Sequence, residues 1–411
     1  MDPIAIGLAG CGGMGRRHLR AYAAMAGVGA GAFAVAAVCD PRTAAAEEAA
    51  DLAEQLLGIR PRVFGSYDEV AASGLVEAID VVTDPSAHHR VATAALESGI
   101  HVICEKPLGI TVRACQQIIG AVKPGVVLST AENYRRDGPN RLARRVLDSR
   151  LLGHVHAMIE TRIGGSDGVL ISPWRHIREA GPIALDMGVH FVDIFNYLIG
   201  DLKTAYGSSF IAEPVRRSSP GAPAAEGIDY LEPGAFRATG DDSLVALYQS
   251  QSGVPIQLTY LPSGPGTAFQ QRTIHGRNGS VSVPKDRTGG PVTVQLGTTR
   301  LSGAALREAV GGFRLDGIAA ALFGPEGTEY QHPFEYVDAA LIGIELDDFA
   351  RAIRSGRPAE IGGYGGLAAV AGVWAVAESQ HLGDAVEIAD VASGAVGAAQ
   401  APVDAFLGFT S

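Results

Sequence analysis

The chain has 411 residues, enough for two or more domains, and a formal net charge of -11, which argues against nucleic acid as a partner. Its composition, 47% hydrophobic and 19% charged, is that of a globular protein, and no uninterrupted apolar segment reaches membrane-spanning length. The N-terminal segment lacks the basic start of a secretory signal, and the four cysteines lack metal-ligand spacing. We therefore expect a cytoplasmic protein without disulfide bonds, a bound metal or a membrane partner.

The first 130 residues alternate short apolar runs with amphipathic stretches, which indicates a doubly wound parallel sheet with helices on both faces. Strands are predicted to begin at Ile4, Phe33, Arg62, Ile79, His101 and Val126. Helices are predicted between the strands, for instance over 43–58 and 87–99, because each stretch closes on a glycine suited to a helix C-terminus.

A glycine-rich turn follows the first predicted strand and opens the first predicted helix. Gly10, Gly12 and Gly15 form a G-x-G-x-x-G pattern, with Gly13 and Met14 inside it. Such glycines permit a tight turn, let the backbone approach a diphosphate and pack the helix on the sheet, while the helix N-terminus favours an anion. The pattern predicts a dinucleotide site, and a glycine-rich turn without a ligand is the alternative.

Asp40 ends the second predicted strand. A carboxylate at this place accepts hydrogen bonds from the adenosine ribose hydroxyls and repels a 2′-phosphate, so NAD is favoured over NADP. Arg42 leaves two interpretations open, since it could pair with that phosphate or stack on adenine. A plain turn residue before Pro41 is the alternative for Asp40.

Lys106 follows the fifth predicted strand and is one of four lysines among 33 basic residues. Lysine can shift its pKa and release a proton, whereas arginine effectively cannot. The carboxyl ends of parallel strands are also where open α/β sheets bind their ligands. Lys106 is therefore predicted to be functional, with a surface lysine before a proline turn as the alternative.

A helix is predicted from Pro182 to Gly200, with Asp186 and His190 one turn apart on one face. The carboxylate favours the imidazolium and burial opposes it, and this balance predicts an imidazole that accepts a proton near neutral pH. Gly188 between them is predicted to leave room for a nicotinamide or sugar ring. An Asp–His pair that caps a core helix is the alternative.

These motifs, together with the segment VVTDPSAHHRVATAALESGIHVICEKPLG, resemble the Gfo/Idh/MocA family of nicotinamide-dependent sugar and polyol oxidoreductases over essentially the whole chain. The resemblance implies a Rossmann domain over 1–130. It implies a second α/β domain over 131–411, with a large, open, mostly antiparallel sheet that commonly forms a homodimer or homotetramer interface. It also implies NAD as the cofactor and Lys106, Asp186 and His190 as the catalytic group.

Further contacts are implied residue by residue. Glu105 matches a position beside the catalytic lysine, and His89 matches a histidine near the adenosine and diphosphate, although Ser86 stands where the family usually has asparagine. The remaining implied cofactor contacts are Thr83, Pro85, Asn133, Trp174 and Arg175. The implied substrate contacts are Lys106, Tyr134, Arg135, Arg175, Asp186 and His190. For Trp174 and Arg175, an aromatic plate and a hydrogen-bonding fork, a packing or salt-bridge role is the alternative.

The predicted reaction is hydride transfer from a secondary hydroxyl of a sugar, glycoside or cyclitol to NAD. His190 takes the hydroxyl proton and Lys106 hydrogen-bonds the same oxygen, or the two exchange roles, while Asp186 binds a neighbouring hydroxyl or orients His190. The alternatives are a keto-sugar reductase, an NAD-dependent redox-cycling glycoside hydrolase, and a nicotinamide-binding sensor without turnover.

In the rest of the chain a long helix is predicted over 131–153, with strands beginning at His154, Ser243, Ile256 and Gln271. The Pro/Gly-rich segment 213–236 is predicted to be a functional or mobile loop that borders a neighbouring subunit's cleft. Two helices are predicted over 345–356 and 365–383, the second one buried because it is apolar nearly all round.

Overall fold

The computed structural model describes residues 2–222, 225 and 228–409, and its N-terminal part contains one six-stranded parallel sheet. The strands are β1 (Ile4–Ala9), β2 (Phe33–Cys39), β3 (Arg62–Phe64), β4 (Ala78–Val81), β5 (His101–Glu105) and β6 (Leu128–Ala131). The connecting helices are α1 (Gly13–Gly27), α2 (Thr43–Leu57), α3 (Tyr67–Ala72), α4 (His88–Glu97) and α5 (Val112–Gly120). The order β3-β2-β1-β4-β5-β6, with every pairing parallel, confirms the predicted doubly wound sheet.

The C-terminal part is built on a larger, mixed sheet. Its helices are α6 (Gly138–Asp148), α7 (Ile183–Leu198), α8 (Gly303–Ala309), α9 (Gly317–Phe323), α10 (Phe334–Ser355), α11 (Gly363–Leu382), α12 (Ile388–Ser393) and α13 (Ala401–Phe406). The large sheet comprises β7 (Val155–Ile163), β8 (Leu202–Phe210), β12 (Ser243–Ser250), β13 (Pro255–Leu261), β14 (Phe269–Gly276), β15 (Gly279–Ser282), β16 (Thr293–Leu296), β17 (Thr299–Leu301) and β18 (Val386–Glu387). In the order β17-β16-β15-β14-β7-β13-β12-β8-β18 only β7 and β13 pair in parallel, which confirms a mostly antiparallel sheet.

The segment 213–236 is predicted to be a loop, but in the structure it contributes a small antiparallel sheet. Its strands are β9 (Val215–Arg217), β10 (Tyr230–Glu232) and β11 (Ala235–Arg237). The buried Arg216 anchors the sheet, because its guanidinium pairs with the buried Asp242. Residues 223, 224, 226 and 227 of this segment lie outside the described residues.

The predicted helix over 131–153 is interrupted. A 3₁₀ turn occupies Tyr134–Arg136, and α6 begins only at Gly138. Pro139 lacks an N–H and is tolerated only in the first turn of a helix, so it marks the start of α6. Asp137, which is extended, accepts the Arg287 N–H at 2.7 Å and the Tyr330 hydroxyl at 2.7 Å. The residues predicted to lead the helix therefore lie on a turn at the end of β6.

Helix α7 runs close to its predicted bounds. Pro182 is its N-cap, and Gly200 has a φ of +108° just beyond its C-terminus. Helix α11 packs against both α7 and β8 and is buried along most of its length, as its nearly uniform apolar composition predicts.

Helix α10 is longer than predicted and returns to the parallel sheet. It begins at Phe334, before the predicted start at Glu345, and packs against α1 and the strands β5 and β6. Val337, Leu341 and Phe349 belong to the same buried cluster as the apolar side chains of β1. One face of the parallel sheet is thus closed by a helix from late in the chain.

All four cysteines are buried free thiols. Among the described residues, no helix combines the length and the apolar character that crossing a bilayer requires.

Candidate active site

The four glycines of the β1–α1 turn divide into two pairs by what surrounds them. Gly10 has a φ of +103°, and a Cβ there would lie 2.6 Å from the Val82 carbonyl oxygen; a Cβ on Gly15 would overlap the Gly10 carbonyl. These two glycines are required by the chain's own packing. A Cβ on Gly12 would meet only the Arg42 guanidinium, at 3.9 Å, and one on Gly13 would have no described atom within 4 Å. The open space lies over the N-terminus of α1, where a diphosphate would accept the free N–H groups.

Asp40 stands beside this turn and is almost fully buried. One carboxylate oxygen accepts the Cys11 N–H at 2.9 Å, and the other accepts the Arg42 N–H at 2.9 Å and the Arg42 Nε–H at 3.3 Å. The oxygen that accepts only the Cys11 N–H has a second lone pair, so Asp40 can still accept a ribose hydroxyl. The Arg42 side chain, 70% exposed, lies along Asp40.

Lys106 extends from the end of β5 to Asp186 on α7. Its Nζ donates to the Asp186 carboxylate at 2.8 Å and to the Asp186 main-chain carbonyl at 3.0 Å, and Arg175 Nε donates to the second carboxylate oxygen at 2.9 Å. Burial opposes the charge of Asp186, but Lys106 and Arg175 outweigh it and hold its pKa well below the ordinary value. Both oxygens are engaged, and neither is hydrogen-bonded to His190. Of the two roles predicted for Asp186, orienting His190 by a hydrogen bond is therefore not supported, and binding a neighbouring hydroxyl stays a prediction.

The main chain of Lys106 is fixed by a buried network. Glu105 accepts the Lys106 N–H at 3.0 Å and lies 3.1 Å from His18 Nε2, while His18 Nδ1 lies 2.8 Å from Asp80. Burial lowers the pKa of His18, but Asp80 and Glu105 outweigh it and raise that pKa well above the ordinary value. The buried carboxyl of Glu345 joins His18 and Glu105 in one cluster, and burial raises its pKa.

His190 is held by Glu132, the residue after β6. Its Nδ1 lies 2.6 and 2.7 Å from the two Glu132 oxygens, and its ring stacks on Tyr134 with centroids 3.8 Å apart and parallel planes. We assign the Nδ1–H tautomer because a carboxylate only accepts, which leaves Nε2, without a partner among the described residues, as the proton acceptor.

The protonation state of His190 differs from the one predicted from the sequence. Burial and the nearby Lys106 lower the pKa of His190 well below its ordinary value, so the imidazole is neutral rather than poised near pH 7. Burial raises the pKa of Glu132 to about 7. The group that takes up a proton near neutral pH is thus the carboxyl behind the imidazole.

Gly188 does not make room for a ligand, which corrects the expectation from the sequence. A Cβ at this position would lie 2.8 Å from Val373 Cγ2 and 3.1 Å from Leu244 Cδ1. The glycine instead allows α7 and α11 to approach each other closely, while Asp186 and His190 point to the other side.

One cleft between the two parts of the chain brings together most of the predicted site. The predicted residues that line it are Met14, Thr83, Pro85, Glu105, Lys106, Asn133, Trp174, Arg175, Asp186 and His190. The buried Asn133 Oδ1 has no hydrogen-bond partner, so it can accept a donor from a bound ligand. Together with the open glycine turn, this orphaned acceptor fits a dinucleotide laid along the carboxyl ends of the strands.

Apart from the glycine turn, Asp40 and Arg42, three predicted residues do not line the cleft. Arg135 donates its Nε–H to Asp193 at 2.9 Å, so its guanidinium is paired with a residue of α7. Tyr134 is covered by His190 and supports that ring. His89 packs against Phe409, with ring centroids 5.4 Å apart, while its neighbour His88 lines the cleft.

Several residues that line the cleft were not predicted from the sequence, among them Arg17, Ile171 and Arg287. Glu132 was also missed, although its signal was present. It follows the last residue of β6 as Lys106 follows β5, and β5 and β6 are neighbours. The rule that ligands bind at the carboxyl ends of strands applies equally to both positions.

Two family models match the chain. One, described as the oxidoreductase family with an NAD-binding Rossmann fold, matches residues 4–131, and the Gfo/Idh/MocA C-terminal domain matches residues 140–282. A levoglucosan dehydrogenase from Pseudarthrobacter phenanthrenivorans is 28% identical over 305 residues, 71% of this chain and 73% of its own length. An inositol 2-dehydrogenase from Rhizobium meliloti is 26% identical over 299 residues, 72% of this chain and 79% of its own.

Solved structures share the fold. A levoglucosan dehydrogenase in complex with NADH and levoglucosan superposes with a TM-score of 0.75 at 21% identity, covering 94% of this chain and 100% of its own. An NAD-binding oxidoreductase from Klebsiella pneumoniae gives 0.75 at 21% identity, covering 94% of this chain and 99% of its own. The chain therefore belongs to the Gfo/Idh/MocA family of oxidoreductases, and NAD is its cofactor.

Proposed function

We propose that the protein is an NAD-dependent dehydrogenase that oxidises a secondary hydroxyl of a sugar, glycoside or cyclitol. The observation that carries the proposal is the placing of Lys106 and His190 in one cleft at the strand ends, continuous with a glycine turn open to a diphosphate. The relatives named as levoglucosan and inositol dehydrogenases support this class of substrate.

The residues divide the proton chemistry between them. Neutral His190 accepts the hydroxyl proton at Nε2 as the carbon gives up its hydride with the electron pair, and the Glu132 carboxylate stabilises the resulting imidazolium through Nδ1–H. Lys106, held by the Asp186 carboxylate, donates a hydrogen bond to the same oxygen and stabilises its developing negative charge. When bound, NAD supplies the hydride acceptor. Arg175 keeps Asp186 in place and offers its outer N–H groups to neighbouring hydroxyls.

The second sheet supports an assembly of identical chains. Its strands β8 and β12 carry exposed apolar side chains on one face: Tyr206, 53% exposed, Val245, 42%, and Leu247, 56%. We assign this face to a homo-oligomer interface, which light scattering coupled to size exclusion tests directly. The four buried thiols support a reducing, cytoplasmic location.

The test is near-ultraviolet absorbance of reduced nicotinamide with purified protein, NAD and a panel of sugars, glycosides and cyclitols. Steady NADH formation with one substrate class is expected. NADH consumption with keto-sugars alone would assign the reductive direction instead. Release of sugar from a glycoside without net NADH would replace the proposal with the redox-cycling hydrolase.

A further inference from the structure

A strained turn stands at the mouth of the cleft, between β7 and α7. Ile171 has a φ of +64°, and the Ser172 N–H donates to the Leu170 carbonyl at 2.7 Å, which closes a γ-turn with Ile171 at its centre. A β-branched residue with positive φ is a steric outlier, and this form of γ-turn is rare and strained. The Ile171 side chain is nevertheless 72% exposed and lines the cleft.

The residues on both sides of Ile171 are held in place. The Leu170 N–H donates to Nε2 of His176 at 3.0 Å, and burial lowers the pKa of His176 to about 4, so this nitrogen remains an acceptor. The Ser172 hydroxyl accepts from Arg175 at 2.7 Å, the same guanidinium that binds Asp186. Strain of this kind persists only where the surroundings over-determine it, and such outliers cluster at ligand sites.

Packing of the Ile171 side chain against the described residues does not offset the strain of this turn. Ile171 is an exposed apolar side chain in a strained conformation, and a glycine at the centre of the turn would avoid both costs. The turn belongs to the segment that carries Trp174 and Arg175, and it lines the same cleft as Met14 of the glycine turn. A sugar or cyclitol ring presents hydroxyls to polar groups and a C–H face to apolar ones, and ligand sites combine both kinds of lining.

We propose that Ile171 is a specificity-determining residue that packs against the C–H face of the substrate ring. The inference rests on the proposed dehydrogenase function. In this arrangement Lys106, Arg175 and His190 bind the hydroxyls, and the clamped turn sets the distance between them and the apolar contact. The substrate class that this selects is a ring with one face free of projecting hydroxyls.

The experiment compares the wild type with Ile171→Ala and Ile171→Gly, with Ile59→Ala, an exposed isoleucine (70%) just beyond the C-terminus of α2, as the control. Both Ile171 variants are expected to raise KM for the sugar on the order of ten-fold, with kcat and KM for NAD unchanged. Ile171→Gly is also expected to raise Tm, because glycine adopts a positive φ without penalty, whereas Ile171→Ala is not. A merely structural role would not produce weaker sugar binding in a more stable protein.

Four results would overturn this inference or the proposed function as well, and the two cases can be told apart. Unchanged KM for the sugar in both variants, or a rise confined to KM for NAD, rejects the role of Ile171 while leaving the dehydrogenase intact. If the wild type shows no turnover, calorimetric titration of sugars into the protein with NADH replaces KM. Equal sugar affinity of wild type and Ile171→Ala then rejects the inference, and absence of binding to the wild type rejects both proposals.

Discussion

Replacing Glu132 with glutamine tests how the carboxylate beside His190 supports proton transfer. The change keeps the shape of the side chain and removes its charge. The carboxylate lies 2.6 and 2.7 Å from His190 Nδ1 and also accepts the Tyr134 N–H at 3.1 Å. An amide can still accept from both groups, but it no longer stabilises a positive charge on the imidazole.

The magnitude follows from that lost charge. A hydrogen bond to a charged group contributes about 1.5–3 kcal/mol, and each 1.36 kcal/mol corresponds to tenfold in rate, so Glu132→Gln lowers kcat roughly 10- to 150-fold. The pH profile changes as well. In the wild type, Glu132 takes up a proton as pH falls through about 7. The protonated carboxyl then donates to Nδ1 of the imidazole, and the imidazole hydrogen lies on Nε2. His190 can no longer accept the substrate's proton there, so oxidation declines. In the variant this acidic limb moves to lower pH, because the titrating carboxyl is gone.

The assay is steady-state NADH formation across pH, with NAD affinity measured separately by fluorescence titration. Glu378→Gln is the matched control, because Glu378 is a fully buried carboxylate that accepts the Ala399 N–H at 3.0 Å and does not line the cleft. It should leave kcat and the pH profile unchanged. A Glu132→Gln enzyme with wild-type kcat and an acidic limb still near pH 7 would refute the proposal that Glu132 stabilises the His190 imidazolium.

Lys106→Met should lower kcat on the order of 10²- to 10³-fold with NAD affinity retained in a fluorescence titration, and near-normal kcat would contradict its place at the reacting oxygen. Asp40→Ser should raise the ratio of kcat/KM with NADP to that with NAD, because repulsion of the 2′-phosphate is removed; an unchanged ratio would mean that the carboxylate does not face the ribose. Gly188→Ala should cost about 1–3 kcal/mol in urea unfolding, since its Cβ would meet Val373 Cγ2 at 2.8 Å. Gly27→Ala, with open space around it, is the control and should be neutral or slightly stabilising; equal stability of both variants would reject the close packing.

The features predicted correctly are those whose signal is local in the chain. A short run of residues, through its spacing or periodicity, is enough to predict each of three features. These are the glycine turn, the strand that ends before Lys106, and the helix that carries Asp186 and His190. The number of parallel strands follows in the same way from the alternation of apolar runs and amphipathic stretches along 1–130.

The features predicted wrongly depend on partners far away in sequence. Whether Gly188 opens toward a ligand or toward another helix is decided by α11, which begins at Gly363. Arg135 is drawn to Asp193, and Tyr134 to His190, by pairings across more than one element. No spacing within a single segment distinguishes these partners from a bound sugar.

Helix α10 has a consequence for how the protein is made on the ribosome. The parallel sheet is complete in sequence at Ala131, yet the helix that covers the apolar side of α1 and β1 ends only at Ser355. At about 5–20 residues synthesised per second, the nascent chain carries this uncovered surface for roughly 10 to 45 seconds. We therefore expect the N-terminal sheet to keep this apolar surface uncovered until α10 has been synthesised.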